Sequence, residues 1–112
     1  MAHTRVNIDT RKITDWDSFH SLFADTFGFP GFYGRNMDAW IDCLTSIDEP
    51  EDAMTTIHAP AGGVVVLHLE HARDFASRCP DLYDAIIECS SFVNYRRVVD
   101  GGGPVLALSF HE

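Results

Sequence analysis

Two aspartates, four residues apart, are the side chains of this sequence best placed to do chemistry. Asp38 and Asp42 lie in the segment "GFYGRNMDAWIDCL", residues 31–44, which reads as a glycine- and aromatic-rich turn followed by a helix. Side chains at positions i and i+4 share one face of a helix, so the two carboxylates should lie near each other. Such a pair could divide acid and base roles, ligate a metal, bind a basic partner or simply meet water.

Metal binding and catalysis find little further support along the chain. His68 and His71 form an H-x-x-H pattern at the end of a predicted strand, but zinc needs three or four converging ligands, and no second cluster accompanies the pair. No glycine-rich phosphate loop, G-x-S-x-G turn or Ser/His/Asp constellation is recognisable. We therefore predict no metal, no cofactor and no catalytic residue, and a metal-dependent hydrolase remains only as a third alternative.

A solvated helix face is the plainest alternative for the two carboxylates. Like charges at i and i+4 cost on the order of a few tenths of a kcal/mol, and Asp38 recovers part of that at the positive end of the helix. However, Phe32 and Tyr33 stand directly before the helix, and Gly34 is expected to allow a bend that a side chain would strain. Aromatic side chains beside carboxylates that can lose their water are typical of a binding hot spot.

The net charge favours a basic protein as partner. The chain of 112 residues carries 17 acidic and 8 basic residues, which gives a formal net charge of −9 at pH 7. The phosphates of nucleic acids and of anionic membranes would be repelled, whereas a basic protein would be attracted and steered. We therefore expect no direct contact with nucleic acid or with a membrane.

Compartment and domain organisation are also predicted from composition. No apolar run approaches the ~20 residues of a membrane span, and the first residues lack the basic and apolar regions of a secretory signal, so we expect a cytoplasmic protein. Cys43, Cys79 and Cys89 form no C-x-x-C pair and are expected to be reduced thiols. A hydrophobic content of 46% without any linker predicts one domain over residues 1–112.

The helix that carries the aspartates is predicted between a first helix and a long loop. Apolar residues at helical spacing predict the first helix over residues 14–27, with Thr14 as its N-cap and Gly28 at its end. Asn36 is predicted to cap the second helix. In the loop over residues 48–62 we expect a short strand or a helical turn around "AMTTI". The apolar stripe of the second helix consists of Met37, Trp40, Ile41 and Leu44.

Strands alternate with helices along the chain, which predicts an α/β fold with a small three-stranded, mainly parallel sheet packed with helices. The central strand, "VVVLHL", is apolar almost throughout and is expected to be covered on both faces. Strands are predicted at residues 5–8, 64–69 and 104–110, and later helices at 71–79 and 80–100. Apolar positions of the last helix include Leu82, Ala85, Ile86, Cys89, Phe92 and Val93.

The segment "FPGFYGRNMDAWIDCL" strongly resembles the pattern of the barstar family: proline, two aromatics, "YGxNxDA", a hydrophobic pair and "DCL". The order of predicted elements resembles that family over most of the chain, although the loop over residues 48–62 looks longer. The resemblance implies a barstar-like fold and a non-enzymatic, intracellular inhibitor of a barnase-type ribonuclease or related toxin. We expect the free protein to be a monomer. The alternative is a barstar-fold interaction module with a basic partner that is not a nuclease.

The resemblance also implies roles for individual residues. Asp42 takes the place of the aspartate that enters the phosphate site of the nuclease, and Asp38 that of the other helix aspartate. Gly34 and Asn36 match the loop that shapes the approach. Glu88, in "IIEC", matches an acidic contact from the later helix.

The aromatic surroundings of these acidic positions depart from the family pattern. Phe32 stands where the family has a tyrosine that stacks on a catalytic histidine, and with Tyr33 it forms the shoulder of the expected binding surface. Ile41 replaces a tryptophan, and Ser46 and Ile47 provide no aromatic where another is found. These differences imply the same mode of binding with a different or looser specificity.

Overall fold

Three parallel strands form one sheet within residues 2–112. A computed structural model describes residues 2–112, and Met1, the first residue of the predicted 1–112 domain, lies outside them. The strand order is β1-β2-β3, with β2 in the centre. The predicted α/β fold with a small three-stranded parallel sheet is confirmed. The strands are β1 (His3–Asp9), β2 (Val64–Glu70) and β3 (Leu106–Phe110).

Four α-helices accompany the sheet in the predicted order. They are α1 (Trp16–Phe27), α2 (Met37–Thr45), α3 (Ala72–Arg78) and α4 (Pro80–Val99). Short 3-10 turns follow β1 at Thr10–Lys12 and α2 at Pro50–Asp52. None of the helices within residues 2–112 combines the length and apolar character that a membrane crossing needs.

The central strand shows the burial that its composition predicts. Val65, Leu67 and Leu69 of β2 are fully buried, and the alternate residues Val66 and His68 are half-buried. A strand that pairs on both edges and is covered on both faces needs apolar side chains at nearly every position. The apolar run at residues 64–69 is therefore explained by its central place in the sheet.

The N-cap of α1 is Asp15, one residue after the predicted Thr14. The Asp15 carboxylate accepts the backbone N–H of Ser18 at 2.8 Å, and Ser18 Oγ accepts the backbone N–H of Asp15 at 3.0 Å. This reciprocal capping box satisfies donors that the helix leaves open at its start. Hydrogen bonding of the Asp15 carboxylate to Ser18, first to its backbone N–H, lowers the pKa of Asp15. Ser18 Oγ also accepts the backbone N–H of Thr14 at 2.8 Å, which places Thr14 outside the helix.

In the long loop over residues 48–62, the expected helical turn lies earlier than predicted, at Pro50–Asp52 with Ala53 as its C-cap, and residues 53–57 form neither a strand nor a helical turn. Backbone groups of the loop bond to the ends of two helices instead. Thr56 donates its N–H to the carbonyl of Phe27 at 2.8 Å, and Ala59 donates to the carbonyl of Ile47 at 3.0 Å. The loop thereby joins the C-terminal ends of α1 and α2, so the N–H groups of Thr56 and Ala59 are not available for a ladder or a helical turn.

Aromatic packing between α1 and α2 forms the part of the core that matters for the aspartates. Phe19, Phe23 and Phe27 of α1 and Trp40 of α2 are all fully buried. The rings of Phe23 and Trp40 meet edge to face, with centroids 5.6 Å apart. Such pairs add specificity to the area that they bury, so they fix how α2 lies against α1.

The long helix α4 leaves Phe92, one of its apolar positions, outside the core. This ring is 47% exposed, and Tyr95, Val98 and Val99 of the same helix are also exposed. Apolar residues therefore occur on the outer face of α4 as well as on its buried face. The helical spacing of apolar residues alone therefore does not separate the buried face of α4 from its exposed face.

A substitution at Gly28 tests the contact between the end of α1 and Thr56 of the 48–62 loop. Gly28 ends α1, as predicted, with φ +65°, and a Cβ there would lie 2.6 Å from Thr56 Cγ2. We predict that Gly28→Ala lowers the free energy of unfolding by about 3 kcal/mol, through backbone strain and overlap together. Gly62→Ala is the control, since Gly62 has φ +69° with nothing within 4 Å. It should cost only about 1 kcal/mol in urea unfolding; equal losses would contradict the proposed overlap.

Candidate functional site

The start of α2 is built as the sequence predicts. The Asn36 side chain accepts the backbone N–H of Ala39 at 2.8 Å and caps the helix. Asp38 follows in the first turn, where the aligned peptide dipoles favour a negative charge. Burial of Trp40 and Leu44 turns the opposite face of α2 outward, so both Asp38 and Asp42 are exposed.

The two aspartates differ in their surroundings. Asp38 makes no ion pair or hydrogen bond through its side chain within residues 2–112, whereas Asp42 Oδ1 accepts a hydrogen bond from Arg96 Nη1 of α4 at 2.9 Å. The ion pair is open to water, with side-chain exposures of 61% for Asp42 and 39% for Arg96. Arg96 is a residue that sequence reasoning missed, because it lies far along the chain from α2.

The two adjacent aromatics of the preceding loop point in different directions. Phe32 is 77% exposed, the most exposed large hydrophobic side chain among the described residues. Tyr33 is half-buried: its ring lies 4.7 Å from that of Phe29, and its hydroxyl is 2.6 Å from His20 Nδ1. Phe32 is therefore free to meet a partner, while Tyr33 ties the loop to α1.

The bend predicted at Gly34 occurs one residue later. Arg35 has φ +54°, in the left-handed region that costs a non-glycine residue on the order of 1–2 kcal/mol. Its guanidinium offsets this strain by donating to Asp17 Oδ1 at 2.7 Å and to Ser21 Oγ at 3.0 Å. Gly34 serves close packing instead, since a Cβ there would lie 3.3 Å from Asn36 Nδ2.

The hydrogen bond between His20 and Tyr33 joins two side chains that are neutral at pH 7. Burial lowers the pKa of His20, the nearby positive charge of Arg35 lowers it further, and Asp17 opposes both. Burial also raises the pKa of the Tyr33 phenol, with Cys43 acting in the same direction. A neutral imidazole and a neutral phenol can share a hydrogen bond in a site with little water, so the loop is held without an internal charge.

Two of the predicted contact residues lie apart from the others. Ile41 is only 8% exposed and belongs to the hydrophobic core, because it shares the buried stripe of α2 with Trp40. Glu88 is exposed on α4. Burial raises the pKa of Cys89, and the negative charges of both Glu88 and Asp38 add to the shift, so these two carboxylates flank the same thiol.

The remaining predicted residues line one open groove of about 340 Å³. Its far wall includes Met54, which comes from the long loop and which no sequence pattern had singled out. Met54 also lines a neighbouring groove together with Asp42, Asp52 and Arg96. The lining of the first groove is Phe32, Tyr33, Gly34, Asn36, Asp38, Ala39, Asp42, Cys43 and Met54.

Neither a reactive thiol nor a cluster of metal ligands occurs at the groove within residues 2–112. Burial raises the pKa of Cys43 to about 11, with the charge of Asp42 adding, so this thiol is protonated at neutral pH and is a weak nucleophile. His68 shares a hydrogen bond with Ser109 Oγ at 2.8 Å. In the part of the chain that the structure describes, no three His, Cys, Asp or Glu side chains converge as a metal site requires.

Known proteins resemble this chain in the region of the groove and beyond it. The profile of the family described as Barstar (barnase inhibitor) matches residues 3–99. A stretch of 47 residues is 40% identical to "Putative ribonuclease inhibitor YrdF" of Bacillus subtilis (strain 168). That alignment covers 41% of this chain and 52% of the relative, so the chain matches about half the length of this curated protein.

The buried imidazole below the loop predicts a dependence of stability on pH. Since the pKa of His20 is lowered from its ordinary 6.5, the unfolded chain binds more protons than the folded one near and below that pH, and stability falls as the pH falls. We expect His20→Asn to show a smaller loss than wild type between about pH 7.5 and pH 5 in urea unfolding. His3→Asn, at an exposed histidine, is the control and should retain the wild-type slope; the same slope in all three proteins would contradict the assignment.

Proposed function

We propose that this chain, which belongs to the barstar family, inhibits a ribonuclease of barnase type or a related toxin by filling its basic active site. The observation that carries the proposal is the groove, in which Asp38, Asp42 and the exposed ring of Phe32 stand side by side. The ribonuclease-inhibitor description of the partly matching relative supports the same conclusion. The inhibitor itself would carry out no reaction.

The chemistry of the groove suits the active site of a ribonuclease. Such an enzyme gathers Arg, Lys and His side chains to hold RNA phosphates and to stabilise the charge that develops during cleavage. A carboxylate on a helix can occupy a phosphate position and accept charge-assisted hydrogen bonds from those groups. Asp38 and Asp42, one helical turn apart on α2, offer two such acceptors.

The loop before α2 is prepared for contact in the free protein. Tyr33 and Arg35 tie it to α1 through His20 and Asp17, so Phe32 is presented on a backbone that is already held. Little ordering entropy is then lost on binding, which is a general route to high affinity. The ring of Phe32 can stack on a flat partner group even without the hydroxyl of the family's tyrosine.

Other parts of the proposal extend from this surface. Glu88, exposed on α4, would add a third acidic contact; its charge and that of Asp38 both raise the pKa of Cys89. We expect the protein to be monomeric when free and to act inside the cell that makes the ribonuclease. A basic partner that is not a nuclease would use the same surface; binding without inhibition of RNA cleavage would favour that alternative.

Replacement of the paired aspartate tests the acidic surface. Asp42→Ala should raise the Kd for a barnase-type ribonuclease, measured as inhibition of RNA cleavage, at least about tenfold more than Asp74→Ala does; the barnase–barstar complex is itself the measured case behind this expectation. Asp74 is a matched control, because it is 57% exposed and pairs with Arg78, much as Asp42 pairs with Arg96. Asp52 is unsuitable as a control, since it lines the neighbouring groove together with Asp42. Equal effects of the two variants would rule out Asp42 as an anchor.

The net charge of −9 predicts that association with the ribonuclease is steered. The association rate constant, measured by stopped-flow mixing, should fall as ionic strength rises from about 0.01 M to about 0.15 M, because the Debye length shortens from about 30 Å to about 8 Å. The dissociation rate constant should change less. An association rate that ignores salt would count against steering.

A further inference from the structure

Arg96 brings a positive charge of the protein itself to Asp42, at the border between the acidic groove and the neighbouring groove that Arg96 lines. It lies near the end of α4, and its guanidinium reaches across to α2, where Nη1 donates to Asp42 Oδ1 at 2.9 Å. The neighbouring Arg97 forms an ion pair with Asp48, just beyond the end of α2. It also donates to the carbonyl of Thr45, the last residue of α2, at 3.5 Å. Arg97 thereby holds α4 against α2, which keeps Arg96 within reach of Asp42.

The arginine makes the two helix carboxylates unequal. Asp38 is without an ion pair in the described chain, so its full charge faces the groove. Asp42 is already bonded to a guanidinium, the group that a ribonuclease would offer to a phosphate. In the free protein, the Arg96 guanidinium therefore occupies a position at Asp42 that a cation of the partner would otherwise take.

The geometry leaves room for competition. Arg96 engages Oδ1 of Asp42 through a single nitrogen, and no other side chain within residues 2–112 bonds to that carboxylate. A partner cation can approach the second oxygen, but it then stands close to Arg96 with the same sign of charge. In water the repulsion is weak; it grows when the interface excludes water.

We propose that Arg96 is a specificity-determining residue that competes with the partner's cation for Asp42 and so weakens binding to a site that presents only positive charge there. The proposal rests on the proposed function, since it concerns the same surface. Specificity is a difference of affinities, and an unfavourable like charge is one way to reject a wrong partner. The partner that fits best places its cations over Asp38. Opposite Arg96 it has either a hydrogen-bond acceptor or no group at all, so that Arg96 stays in contact with water.

A purely positioning role for Arg96 is less consistent with the contacts. Asp42 stands on a helix that is already fixed by the buried side chains of Trp40 and Leu44 and by the Asn36 cap. An exposed, single hydrogen bond of this kind adds little stability in the free protein. Its clearest local effect is to relieve the repulsion between Asp38 and Asp42 at i and i+4.

The proposal is tested with Arg96→Gln and the control Arg73→Gln, each of which removes one positive charge. Arg73 is 78% exposed and pairs with Glu112, away from the groove. With barnase as the probe, Arg96→Gln should lower the Kd by about tenfold, while Arg73→Gln should change it by less than about twofold. In an Asp42→Asn background the gain from Arg96→Gln should shrink to that of the control, as a double-mutant cycle shows.

A second probe, hexa-arginine peptide at low salt, separates this inference from the proposed function. If wild type fails to inhibit barnase but Arg96→Gln still binds the peptide more tightly than Arg73→Gln does, the barnase-type function falls and the inference stands. If barnase is inhibited but Arg96→Gln binds it no more tightly than Arg73→Gln does, the inference falls alone. If neither probe distinguishes the two variants, or Arg96→Gln binds more weakly, competition by Arg96 is overturned.

Discussion

Burial of Trp40 against the aromatic side chains of α1 fixes the rotation of α2, and the acidic surface depends on that rotation. The indole is fully buried and meets Phe23 edge to face, with centroids 5.6 Å apart. Its Nε1 finds no hydrogen-bond partner among the described residues, a cost that a buried donor usually avoids. The ring remains inside because the area that it buries outweighs that cost, and the opposite face of α2 then carries Asp38 and Asp42 outward.

Polar contacts then define the shape and charge of this face. Three arginines near α2 are bonded to internal carboxylates: Arg35 to Asp17, Arg96 to Asp42 and Arg97 to Asp48. These three arginines thus pair within the molecule. Arg35 holds the loop before α2, and Arg97 holds α4 against α2. Among the described residues neither Asp38 nor Glu88 forms an ion pair, and uncompensated negative charge of this kind attracts basic proteins.

Much of the fold and part of the groove were predictable from local patterns. The strands, the order of helices, the Asn36 cap and the end of α1 at Gly28 all follow from side-chain periodicity and from residues with strong backbone preferences. The errors arose where two local solutions compete. Asp15 displaced Thr14 as the N-cap because Ser18 completes a reciprocal capping box, and the left-handed bend moved from Gly34 to Arg35 because hydrogen bonds to α1 offset its strain.

The sequence alone determined which face of α2 is acidic, since positions four apart in a helix must share a face, and its motif identified the family. Only the tertiary structure decided what that face contains. It placed Ile41 in the core, joined Tyr33 to His20, brought Met54 to the groove and bonded Arg96 to Asp42 at its edge. Arg96 lies 54 residues from Asp42, and no periodic pattern spans such a distance. A contact of this kind exists only after the burial of apolar surface has set two helices side by side.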